Sequence, residues 1–116
     1  MTRTIEVDGK EVSFRASAAI PRLYRIKFRR DILQDMSTIQ QAIKKSKAKA
    51  STIPLEALEL FENVAYLMAK HADPSVPDTV DAWLESFDTF SIYSVFPVIE
   101  EMWADNIAQL SKPVKK

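Results

Sequence analysis

The side chains able to perform chemistry in this chain are few and scattered. His71 is the only histidine; it stands at the end of a helical pattern, and the nearest carboxylate in sequence is Asp73. No second ligand or nucleophile lies at a helical spacing from it, so a helix cap or surface group is expected rather than a catalytic base or metal ligand. The carboxylates Glu56, Glu59 and Glu62, and again Glu100, Glu101 and Asp105, recur at spacings that could pair acids. Neither group carries the Glu-x-x-His pattern of bundle metal sites, and solvated helix faces are expected. The absence of cysteine removes disulfides, thiolate ligands and thiol nucleophiles, and a single glycine leaves no phosphate-cradling loop. The chain therefore reads as a non-enzyme with no catalytic residue, no metal and no cofactor.

One row does carry chemical content. Arg22, Arg25, Arg29 and Arg30 are interleaved with Tyr24 and Phe28; arginine grips phosphate, and aromatic rings stack on bases. A nucleic-acid domain usually shows a basic excess, whereas the net charge here is zero. That zero hides a segregation. Residues 1–50 hold twelve Lys and Arg against five Asp and Glu, a net +7, and residues 51–116 hold four against eleven, a net −7. The favoured expectation is that the basic helix packs its apolar side on the core and pairs its arginines with the acidic helices. A further reading makes Arg22, Tyr24, Arg25, Phe28, Arg29 and Arg30 a protein-docking surface.

Around these residues the pattern predicts a mostly α (α+β) domain spanning 1–116: an N-terminal β-hairpin, then four or five packed helices. Asp8-Gly9 between alternating runs signals a hairpin over about 3–15. In a two-residue turn Val7 pairs with Lys10 and Ile5 with Val12, which puts Ile5, Val7, Val12 and Phe14 on one face. Helices are expected at about 20–46, 54–72, 78–88 and 92–110. The first carries the stripe Ile32, Met36, Ile39, Ile43 and frays through Lys44 to Ser51. The second is apolar over much of its girth and should be central. The third opens on Asp78 with Asp81 as a capping box and buries Val80, Trp83, Leu84 and Phe87. The last turns Val95, Ile99, Met102, Trp103, Ile107 and Leu110 inward, with Pro97 in its first turns or at a bend. A disordered tail is expected at about 111–116. No stretch approaches the ~18 apolar residues of a membrane span and none resembles a signal core, so a soluble, cytoplasmic protein is expected.

Taken in order, Asp8-Gly9-Lys10-Glu11-Val12-Ser13-Phe14-Arg15-Ala16, Ile20-Pro21-Arg22-Leu23-Tyr24-Arg25, Phe61-Glu62-Asn63-Val64-Ala65-Tyr66-Leu67-Met68-Ala69-Lys70, Trp83-Leu84-Glu85-Ser86-Phe87 and Phe90-Ser91-Ile92-Tyr93 resemble the small tail assembly chaperones of siphophages and prophages of Gram-positive bacteria. The resemblance implies a non-enzymatic protein that binds and solubilises the tape measure protein, helps recruit major tail (tube) subunits, works in the host cytoplasm and is not retained in the mature virion. Members of that family often make a second, longer product by a ribosomal frameshift; the terminal lysines Lys112, Lys115 and Lys116 fit a slippery run of codons, and equally a basic disordered tail, which is their ordinary explanation. Two alternatives remain beside it: a small nucleic-acid-binding regulator using the basic helix, and a structural tail or head protein that self-associates through its complementary halves.

Overall fold

The structure, a computed structural model, describes the backbone of residues 1–111 and the side chains of residues 1–104. Asp105, Ile107 and Leu110, and the tail beyond Ser111, lie outside the side chains described. The chain runs β1 (Thr2–Val7), β2 (Lys10–Arg15), α1 (Ile20–Phe28), α2 (Ile32–Lys49), α3 (Leu55–Ala72), α4 (Val80–Leu84) and α5 (Ile92–Ser111).

The hairpin has the expected register, with Val7 opposite Lys10, Ile5 opposite Val12 and Arg3 opposite Phe14. Asp8 and Gly9 both take positive φ, 54° and 75°, the combination that lets a two-residue turn follow the right-handed twist of its strands. Val7, Val12 and Phe14 are buried by the helices, with Ile5 partly covered. Arg3 and Lys10 stand on the same face at its margins. The Arg3 guanidinium reaches Glu101 of α5, and the Lys10 ammonium reaches the Ser86 carbonyl and lies 5.4 Å from the centre of the Phe87 ring.

α3 is the central helix, as its apolar girth predicts. It buries Ala57, Leu60, Phe61 and the run Val64 to Ala69, and it contacts β2 and each of the other four helices. Phe61 stacks on Phe90 and meets Phe96 edge-on, while Trp83 packs its ring against Tyr66, Phe87 and Phe90. α5 covers this core with Val95, Phe96, Ile99, Met102 and Trp103. It continues through Pro97, which has no N–H to offer the Tyr93 carbonyl one turn back. Among the described residues no helix is long and apolar enough to cross a membrane.

Three expectations need correction. The helix expected over about 20–46 is two helices. Arg29 turns left-handed at φ 57°, its N–H closing on the Arg25 carbonyl, and the Asp31 side chain accepts the Leu33 N–H to start α2. The lysine-rich stretch after residue 43 does not fray but stays helical to Lys49. It is anchored by the buried Ser46, whose hydroxyl contacts the Ser51 carbonyl and the Tyr93 hydroxyl. The helix expected over about 78–88 shrinks to Val80–Leu84: its cap is Thr79, accepting the Ala82 N–H at 3.1 Å, while Asp78 pairs with Lys70, and past Leu84 the N–H groups of Ser86 and Phe87 turn to carbonyls three residues back.

Candidate functional site

The six residues of the basic row end in three different environments. Tyr24 is fully buried and donates its hydroxyl to Asp35 Oδ2 at 2.7 Å. Burial above all, and then the carboxylate beside it, push its phenol well above the ordinary tyrosine range. Phe28 packs half-buried against it, ring centres 5.0 Å apart. The Tyr24 ring is closed to a partner and Phe28 keeps only part of its ring exposed, so the aromatic part of the expected docking surface faces mainly the core. The reason is periodic: positions 24 and 28 lie four apart on the helix face that meets the interior.

Arg30, half-exposed, reaches across the break between α1 and α2. Its Nε donates to Asp35 Oδ2 at 2.8 Å and its Nη2 to Oδ1 at 3.0 Å. Asp35, only 1% exposed, thus receives three hydrogen bonds from two residues of the preceding segment. This buried hub holds the corner closed, and it is the principal polar site that the sequence pattern did not single out. An acid in the first turn of a helix reads as a dipole partner facing water.

Arg22, Arg25 and Arg29 stay on the surface. Among the described residues no carboxylate lies within 4.0 Å of any of them, so the expected pairing with the acidic helices does not form. Other charged side chains do cross between the halves: Arg3 meets Glu101, the Gln40 amide donates to Glu100, and Lys27 of α1 reaches the Asp78 carbonyl and lies 5.4 Å from the centre of the Tyr66 ring. Beside these arginines, Ile26 is 65% exposed and Leu33 is 53% exposed. Pro21, Arg25, Arg29, Arg30, Asp31 and Leu33 surround an open recess of about 380 Å³ at the corner. Ile26 and Leu33 were missed as surface features. Their signal was a position: Ile26 is an apolar residue on the polar side of α1, and Leu33 lies one residue off the Ile32-Met36-Ile39 stripe.

His71 does not reach toward Asp73. Its Nε2 lies 2.9 Å from Ser17 Oγ, which also accepts the Ala19 N–H, so the end of α3 is clipped to the β2–α1 connection. Burial first, then Arg15 and the amino terminus, hold the imidazole below its ordinary pKa. Asp73 turns instead to the N–H and hydroxyl of Ser75, bonds that keep its carboxyl below the usual range. Among the described residues no cluster of three histidines or acids is placed to hold a metal ion. What the corner can do chemically is bind: three cations and two apolar side chains can hold an acidic, apolar surface.

No protein-family model matches this chain, and no curated protein sequence or solved structure matches it.

Proposed function

We propose that this chain is a tail assembly chaperone of a phage or prophage. In this role it binds the tape measure protein, keeps it soluble during assembly, helps bring major tail subunits to it, performs no catalysis, and leaves before the virion is complete. The observation that carries the proposal is the α1–α2 corner, where Arg22, Arg25 and Arg29 lack carboxylate partners among the described residues and flank the exposed Ile26 and Leu33. A very long helical protein exposes apolar stripes bordered by charge, and such stripes aggregate unless covered. A small domain offering apolar side chains beside such arginines covers an acid-flanked stripe reversibly, weakly per copy and repeatedly along its length.

The test is co-expression with the tape measure protein encoded beside this chain, comparing its soluble yield with and without the wild-type chain and with an Arg25→Glu/Arg29→Glu variant. Solubilisation by wild type, lost in the variant, supports the proposal; an insoluble partner in all three cases overturns it. The same unpaired arginines also suit a nucleic-acid-binding regulator. Tight, salt-sensitive binding to a generic duplex, without any effect on the tape measure protein, would put that reading first.

A further inference from the structure

The acidic half of the chain has a groove of its own, apart from the basic corner. α3 and α4 run beside one another, and Leu55, Leu58, Val80 and Leu84 floor a recess of about 390 Å³ between them. The spacings of three on α3 and four on α4 set these side chains as two apolar ridges, the shape into which a third helix packs. Leu55 is 83% exposed, so the floor is open rather than covered.

The rim of this groove is negative. Glu59, Glu62 and Asp81 line it, and among the described residues no Lys, Arg or His stands within 4.0 Å of any of them. Glu62 is half-buried; burial, and after it the neighbouring Glu59 and Asp81, raise its carboxyl above the ordinary range. The α4 dipole accounts for Asp81 in the first turn, but Glu62 stands two turns inside α3, beyond the reach of that helix's N-terminal charge. Among the described residues, three like charges therefore stand around an apolar floor without a cation paired to them, and no cluster placed to share a metal accounts for them. A helix with an apolar stripe bordered by Lys and Arg supplies both missing parts, the cover and the counter-charge.

We infer that the α3–α4 groove docks a basic amphipathic helix of a partner protein. It is a second docking surface, opposite in sign to the α1–α2 corner, and it stands whether or not the chaperone reading does.

The probe is a fluorescently labelled synthetic amphipathic helix of leucine and lysine, titrated by anisotropy against the full chain at about 0.15 M salt, where distant charges are screened. Glu59→Gln/Glu62→Gln is compared with Glu6→Gln/Glu11→Gln, which removes the same charge from the exposed face of the hairpin. The groove pair should weaken binding about tenfold, and the hairpin pair less than about twofold, since only contact charges survive screening. Leu55→Ser, at a side chain the fold does not need, should also weaken binding, by about fivefold. Equal losses in the two charge variants, or no loss with Leu55→Ser, would reduce the effect to general attraction and overturn the inference. Sedimentation of the chain alone provides the other arm. If it self-associates, and Glu59→Gln/Glu62→Gln dissolves that assembly, the occupant is a second copy and the inference also falls.

Discussion

Asp35 shows how a single side chain sets the geometry of the surface around it. A carboxylate 1% exposed survives burial because Tyr24 and both nitrogens of the Arg30 fork saturate it. Asp35→Ala should lower unfolding stability by about 2–3 kcal/mol, chiefly through the orphaned, buried Tyr24 hydroxyl and the void left beside it. Tyr24→Phe, which leaves the charge and its arginine in place, should cost about 1 kcal/mol. Urea denaturation of the two variants checks the order. A second residue sets a pH dependence. The depressed pKa of His71 means that the unfolded chain takes up its proton first, so as pH falls through about 6.5 the unfolded state binds more protons and stability declines. Above that pH the group contributes nothing to the slope. His71→Gln, which can keep a bond to Ser17, should flatten the decline between neutral and mildly acid pH, as read by melting temperature across that window.

The elements themselves were legible wherever a local rule was strong. Asp8-Gly9 dictates the hairpin and its register, and the apolar girth of the segment from Leu55 to Ala72 makes it the centre of the fold. What was not legible was the break between α1 and α2. Helices commonly end at glycine, and here the left-handed position is Arg29, so the apolar stripe reads straight through a stop that exists only because Asp31 caps a new helix. The exposed part of the candidate site shares that cause. Once the chain turns at residue 29, Leu33 leaves the side of a continuous helix and joins Arg25 and Arg29 around one recess. Tyr24 illustrates the opposite error, an aromatic ring read as a binding surface although its four-residue spacing from Phe28 sets both on the side that meets the interior, where Tyr24 is buried and Phe28 partly so. The left-handed arginine also makes a prediction at this scale. Arg29→Gly should raise stability by about 1 kcal/mol by relieving the Cβ clash, and Ala50→Gly, at the equivalent cap of α2 with φ 51°, should do the same. Only the first should weaken partner binding, because only it removes a cation from the corner.

At the scale of the whole molecule, the segregated charges meet in a single ion pair among the described residues. Arg3 with Glu101 is the ion pair that joins the basic half to the acidic half among the described residues, and it lies between the hairpin and α5, away from both grooves. The arginines of α1 and the carboxylates along the α3–α4 groove hold no ion pair among the described residues. Their role can therefore be separated from folding, as is usual for exposed charges. Because Arg25 and Arg29 hold no ion pair among the described residues, Arg25→Glu/Arg29→Glu should change unfolding stability by less than about 1 kcal/mol. Reversing two charges at a binding rim turns attraction into repulsion, and affinity for an acidic amphipathic helix should fall more than about tenfold near physiological salt. Added salt should weaken the wild-type complex and strengthen that of the variant, since it screens attraction in one and repulsion in the other. Anisotropy titrations at two salt concentrations, beside urea curves for the same two proteins, measure this directly. If the salt dependences run in parallel, or if stability falls along with binding, these arginines support the fold and not a partner.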